Sequence, residues 1–380
     1  MAAGPLIGDS SSADTLFNLR NGSGSPTGCG VWDIQWEIGK GKCDALQNLG
    51  YDVGPGATSI DNMDYVMGKK QKANGGTDVV IAFQGTDGWS DDEDIFDLLG
   101  LADKAANYNP LGLLTDGQHK GYYEMAKKLW STSEIEDMIT RAKSGEDITF
   151  NLSGHSMGGA IAQCLAIHLM QEGVPPENIK GVTFACALTV TDDINKLKIT
   201  GSDETIGDVL KRLDWTNYVL NTDAVPNGVV KGSIKNIGGT RIGKDNVIID
   251  PIPDSNKQND FWSGISKTDN GKHDMSTYGK LLGKPMVTMY NDVNSGGDQF
   301  YFQEGDFSAF AVQDKFSSIE IPEGYRVTLY EHNNYGGKTL VLNGPGTYNL
   351  TDHVLDAKGG WFGTGNDWND DASSMKVEKI

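Results

Sequence analysis

Between residues 77 and 221 the chain alternates short apolar runs with stretches whose apolar positions recur every three to four residues. The runs Thr77–Gly85, Asp147–Gly154, Val182–Val190 and Asp214–Asn221 read as buried strands. His119–Trp130, with Tyr122, Met125, Ala126 and Leu129 spaced at three and four, reads as an amphipathic helix, and Ala160–Glu172 as a long apolar one. This alternation predicts an α/β fold with a mainly parallel central sheet and helices on both faces. After Gly283 the period drops to two, and no helix is predicted. Val287–Phe302 aligns there without a gap on Val327–Leu342, at an offset of 40 (327 − 287). Each copy is a strand, a Gly-Gly turn and a strand, followed downstream by an acid-Ser cluster, Asp314–Ser318 or Asp370–Ser374. Two such units are expected to bury their faces against each other as a small all-β sandwich. The expected domains are an exposed arm over 1–30, an α/β domain over 31–283 and the β domain over 284–380, with the boundary near Lys284-Pro285.

Composition narrows the partners. With 380 residues and 38% hydrophobic residues the chain is long enough for about two globular domains. The net charge of −20 sets it against nucleic acid and anionic lipid headgroups and in favour of divalent cations. No stretch approaches the ~20 apolar residues of a membrane span. The first residues lack the basic and apolar regions of a secretory signal. Three routes therefore stay open: retention in the cytoplasm, signal-independent export, or a chain that begins after cleavage. Cys164 and Cys186 lie in apolar segments and are expected to be buried thiols. Cys29 and Cys43 flank a Trp-containing stretch, and disulfide and free thiols are both open.

The chemistry concentrates in the α/β region. Gly154-His155-Ser156-Met157-Gly158 is a G-x-S-x-G between a predicted strand and a predicted helix, the setting that turns the serine into an exposed nucleophile. The helix start aims N–H groups at an oxyanion forming there. In hydrolases built this way an acid and then a histidine follow in the chain. Asp223 closes the apolar run Tyr218-Val-Leu220, and His273 follows a long polar loop, which makes Ser156, Asp223 and His273 the expected triad. His155, the variable residue of the elbow, is read as support for the turn. His168 reads as a solvent-facing or packing residue of its helix, and His119 as structural. His332 and His353 lie in the repeat, with no serine elbow near them.

On these residues the stretch from about 75 to 283 resembles the class 3 lipases, an α/β-hydrolase family. Ala82-Phe-Gln-Gly-Thr86, His119-Lys-Gly-Tyr122, Leu152–Ala160, Asn221–Pro226 and His273–Tyr278 match its segments in order. Gln84 stands where the family has Arg, and Ala185–Leu188 where it has Gly-x-Pro. The resemblance implies a serine hydrolase of lipid carboxylic esters, with the oxyanion held by the N–H groups of Thr86 and Met157. The stretch 88–101, with Trp89, Phe96, Leu98 and Leu99 among acids, lies where those lipases carry a lid, which implies transient contact with a lipid interface. A surface helix with a solvated acidic face is the other reading of that stretch. Phospholipase A1 and feruloyl-type esterase activities share the same machinery.

The repeat resembles the Greek-key βγ-crystallin domain, which binds calcium through Asn/Asp-Asn/Asp-x-x-Ser/Thr-Ser. Asn369–Ser374 fits in full, and Gln313–Ser318 departs only at its first place. The resemblance implies Ca2+ ligands from the side chains of Asp314, Ser317, Asp370 and Ser373, with carbonyls near Lys315, Asp371, Asn291 and Glu331. The oxygen-rich set suits calcium, and weak affinity in such modules suits an extracellular setting. A metal-free sandwich whose serines close the turns stays open, as does a calcium-binding adhesion protein with an inert hydrolase domain.

Overall fold

The computed structural model describes residues 44–53, 58–60, 63–85, 114–223, 225–228, 235–249, 273, 278, 281–282, 285–310, 315–356 and 366–380. The expected N-terminal arm, Cys29, Cys43, Thr86, the 88–101 stretch with Trp89, Phe96, Leu98 and Leu99, and Asp314 lie outside the described residues. Six strands follow the chain across one sheet: β1 (Met63–Gln71), β2 (Thr77–Phe83), β3 (Ile148–His155), β4 (Ile179–Phe184), β5 (Asp214–Leu220) and β6 (Lys244–Ile249). β1 runs antiparallel to β2, and every later pair up to β6 is parallel.

Side-chain alternation divides the two faces. Val79, Ile81 and Phe83 of β2 enter one core with residues of α2 (Lys120–Trp130), α3 (Ser133–Lys143) and α4 (Met157–Gln171). Val80 and Ala82 enter another with Leu46 of α1 (Asp44–Asn48) and Tyr51. α2 buries Tyr122, Met125, Ala126 and Leu129, the positions its spacing singles out. α4 is buried almost all round, as a helix without a polar face must be. Right-handed crossovers that always step to the next strand leave their helices on one side. The expectation of helices on both faces holds among the described residues, with the longer helices, α2 to α4, on one side. Among the described residues the opposite face carries the short α1 and, further along, a cluster formed by Phe184, Tyr218, Leu220, Tyr278 and Met286. Cys164 and Cys186 are buried free thiols, and no described helix is long and apolar enough to cross a membrane.

The sheet does not stop at the expected boundary. β6 pairs in parallel with β8 (Gln299–Phe302), which pairs antiparallel with β7 (Val287–Tyr290). The order continues through β10 (Ser318–Ile321) to β13 (Gly346–Asn349). A second sheet, ordered β9-β14-β11-β12, contains β9 (Gly305–Phe307), β11 (Tyr325–His332), β12 (Gly336–Asn343) and β14 (Ser374–Lys379). Each half of the repeat thus lends one strand, β9 or β13, to the sheet that holds the other half's hairpin. Between the sheets lie Phe300, Phe302, Phe316, Ile319, Leu329 and Met375. The repeat is also conformational: Asn294 and Ser295 in the first hairpin and Asn334 and Tyr335 in the second all have φ between 55° and 61°. Ser318 Oγ accepts from Ser295 N and donates to the Asp292 carbonyl, and Ser374 Oγ does the same with Tyr335 N and the His332 carbonyl. The second serine of each Ser-Ser pair therefore closes a turn.

Candidate active site

Ser156 sits between the end of β3 and the start of α4 with φ 55° and ψ −120°, a conformation that costs a non-glycine residue ~1–3 kcal/mol. Packing enforces it. A Cβ on Gly154 would lie 2.2 Å from the Gly158 backbone, and one on Gly158 would lie 2.5 Å from the carbonyl oxygens of Phe83 and Gln84. Only glycine permits β3, α4 and the end of β2 to meet this closely. Ser156 N donates to the Phe184 carbonyl at 2.9 Å, which holds the turn from the β4 side. Met157 is the first helical residue, so its N–H has no intrahelical acceptor to reach and stands at the positive end of α4. The stretch leading to Thr86 passes beside the serine: a Cβ on Gly85 would lie 3.5 Å from Ser156 Cβ.

The three residues expected to act together are brought together. Ser156 Oγ lies 2.7 Å from His273 Nε2, and His273 Nδ1 lies 2.9 Å from Asp223 Oδ2 and 3.0 Å from Oδ1. With Nδ1–H donating to the carboxylate, Nε2 is the acceptor for the serine hydroxyl. Ser156 is 8% exposed and Asp223 fully buried, and the imidazole between them is partly exposed. Asp223 is held by its own turn. Val225 N donates to Oδ1, and Asn227 Nδ2 donates to the carbonyls of Leu220, Asn221 and Asp223.

Two contacts escaped the sequence reading. Tyr278, fully buried, donates its hydroxyl to Asp223 Oδ2 at 2.9 Å and accepts from Leu220 N at 3.0 Å. Burial, and after it the Asp223 carboxylate, hold this hydroxyl well above its usual pKa, so it remains a proton donor. His155 does more than support the turn: its Nε2–H donates to the carbonyl of His273 at 2.8 Å, and the two rings lie 4.9 Å apart. Sequence offers one hint for the tyrosine, its place in the segment His273–Tyr278, and none for the histidine contact. His119 stacks on Tyr122 and His168 on Trp130.

The proposed cation ligands divide into two groups. At the end of β7, Ser317 Oγ donates to the Asn291 carbonyl at 2.6 Å, and Asp370 N donates to the Phe316 carbonyl at 3.1 Å, so oxygens of Asn291, Ser317 and Asp370–Asp371 gather around one loop pair. Asn291 Oδ1 there is buried with no hydrogen-bond partner among the described residues. That donor set, all oxygen and part backbone, fits a hard divalent cation. In the other half, Ser373 N donates to the Tyr330 carbonyl, next to Glu331. Lys315 is exposed, and Asp314, which would join the Glu331–Ser373 group, lies outside the described residues.

The chain matches the Epidermal differentiation-specific protein of Cynops pyrrhogaster at 34% identity over 67 residues, which is 17% of this chain and 20% of that protein. It thus spans about a fifth of the length of that curated relative. Solved βγ-crystallin domains resemble part of it. The domain from Clostridium beijerinckii is 21% identical and covers 25% of this chain and 100% of its own, with a TM-score of 0.19. The domain from Flavobacterium johnsoniae is 25% identical and covers 25% of this chain and 96% of its own, with a TM-score of 0.18. The family Lipase (class 3) matches residues 80–229, a span that includes Ser156 and Asp223 and stops before His273. Over residues 80–229 the chain is therefore similar to the class 3 lipases, a match that supports a carboxylic ester hydrolase.

Proposed function

We propose that the protein is a serine hydrolase of lipid carboxylic esters, of the triacylglycerol lipase type. The observation that carries this reading is the hydrogen-bonded line from Ser156 Oγ through His273 to the buried Asp223. Ser156 Oγ attacks the ester carbonyl while His273 Nε2 takes its proton. Asp223 keeps the proton on Nδ1 and stabilises the imidazolium. The N–H groups of Met157 and Thr86 hold the tetrahedral oxyanion, each worth ~10²–10³ in kcat. His273 returns the proton to the departing alcohol, and a water activated by the same imidazole then releases the acid and restores Ser156. The apolar residues Trp89, Phe96, Leu98 and Leu99 cover the acyl chain in this reading.

In the β module, calcium would be held by the Asn291 carbonyl, Ser317, Asp370 and a carbonyl near Asp371, and at the second position by Asp314, Ser373 and carbonyls near Glu331 and Lys315. Bound there, it neutralises carboxylates and ties the two halves of the repeat together. It takes no part in ester cleavage.

The test is turnover of p-nitrophenyl esters from short to long acyl chains by the parent protein and Ser156→Ala. Turnover that rises with chain length and falls by about 10⁶ in the variant is expected. Activity confined to short chains would replace the lipase by an esterase, and a silent parent protein would remove the hydrolase reading.

A further inference from the structure

The segment that carries His273 and Tyr278 begins after Ile249 of β6 and ends before Val287 of β7. Both strands pair with β8, one on each side, and both flank the same residue: Ile249 pairs with Phe302 in parallel, and Val287 pairs with Phe302 antiparallel. The two ends of the segment are thus held two strand spacings apart, about 9–10 Å, by a strand of the β module.

Alternation along β8 serves two cores at once. Phe300 and Phe302 point into the module's own core, with Ile249 and Val287. Tyr301, between them and in register with Ile248, points to the other face and is buried in the cluster of Tyr278, Tyr218, Leu220, Phe184 and Met286. Tyr218 and Leu220 belong to β5, which leads into Asp223, and Tyr278 donates to the Asp223 carboxylate. The Tyr301 hydroxyl is satisfied within its own strand, donating to Gln299 Oε1 at 2.6 Å. What Tyr301 contributes to the cluster is therefore its ring.

We propose that β8, through its two strand pairings and the Tyr301 ring, positions the His273–Tyr278 segment against Asp223, so that the C-terminal β module is a working part of the triad rather than an attachment beside it. This rests on the hydrolase reading for its kinetic consequence, and on geometry alone for its structural one. Tyr301 is a positioning residue: it touches neither the ester nor the serine.

The experiment uses the full chain as Tyr301→Leu and Tyr301→Phe, with Leu329→Ala as a control in the core of the module's second sheet. Three quantities are read at a temperature where every variant is folded. The first is the far-downfield proton resonance of the His273 Nδ1–H held by Asp223, which needs no substrate. The second is the split between kcat and KM on a p-nitrophenyl ester. The third is amide exchange in the parent protein under mild denaturant.

Tyr301→Leu is expected to lose or broaden the downfield resonance and to lower kcat at least tenfold with KM within twofold. Tyr301→Phe should keep both, because the ring remains. Leu329→Ala should lower the unfolding temperature and keep both. In the parent protein, amides around His273 and Tyr278 should open in the same cooperative unit as β8. The proposal is overturned if folded Tyr301→Leu retains resonance and kcat, or if Leu329→Ala loses them equally. It is also overturned if the His273 segment exchanges with α2–α4 while β8 exchanges apart from both, a result that stands even where Tyr301→Leu does not fold. A parent protein that shows the resonance but cleaves no ester refutes the hydrolase reading and leaves the positioning to be decided by resonance and exchange.

Discussion

Replacing Tyr278 with Phe removes one oxygen from the back of the triad and nothing from its front. The hydroxyl makes two buried hydrogen bonds, donating to Asp223 Oδ2 and accepting from Leu220 N. A hydrogen bond to a charged acceptor is worth ~1.5–3 kcal/mol, and a buried N–H left without a partner costs ~1–3 kcal/mol. The variant is therefore expected to be about 3 kcal/mol less stable. Asp223 keeps Val225 N and His273 as donors, so the imidazole stays tethered but its partner is held from one side fewer. We expect kcat to fall about tenfold, equivalent to ~1.4 kcal/mol, with KM unchanged, because no substrate-binding group is touched. The assay is steady-state hydrolysis of a p-nitrophenyl ester beside urea unfolding of the same samples. A variant with parent-like kcat and stability would refute the claim that Tyr278 holds the carboxylate. A rise in KM with kcat preserved would place the tyrosine in the substrate cleft instead.

Gly158→Ala drives a methyl group to 2.5 Å from two backbone carbonyls that cannot retreat, so the variant is expected to lose activity and to unfold at lower temperature, read by calorimetry and ester turnover. His168, stacked on Trp130, has its pKa lowered to about 4, first by burial. Because the unfolded chain takes up that proton near pH 6.5, the stabilisation is complete above about pH 6.5 and is lost as pH falls towards 4, by up to ~3 kcal/mol. Stability measured from pH 7 to 4 should therefore fall less in His168→Gln than in the parent protein, and parallel curves would refute this. Calcium is expected to raise the unfolding temperature, chelation to reverse it, and Asp370→Asn to abolish most of the response, while the initial ester rate at low temperature stays the same in all three.

The parts of the site that are local in sequence could be read from it. The strand–turn–helix around Ser156 and the order Ser, Asp, His need only short spans, and α2 declares itself by the spacing of its buried positions. The same spacing, at Ile135, Met138, Ile139 and Ala142, also marks α3, which shows that a periodic signal passes unread where charged residues crowd the run. β6 is harder. Val247, Ile248 and Ile249 are consecutive apolar residues, and only their partners reveal that Ile248 faces one core and its neighbours another. Tyr278 is hidden for a different reason: a buried phenol near a histidine looks like any core aromatic until the fold sets Asp223 beside it. The module's repeat was legible because its turns demand the same conformations twice. Its pairing with β6 was not, because strand pairing between distant segments leaves no periodic trace in either.

That pairing has a consequence for handling the protein. A chain ended at the apparent boundary near residue 283 would leave the whole length of β6 as an open sheet edge, with unpaired N–H and C=O groups beside exposed apolar side chains. Such an edge is a template for self-association. The α/β part expressed by itself is expected to be insoluble or to form oligomers through β6, and the soluble unit for expression is the one that includes β7 and β8.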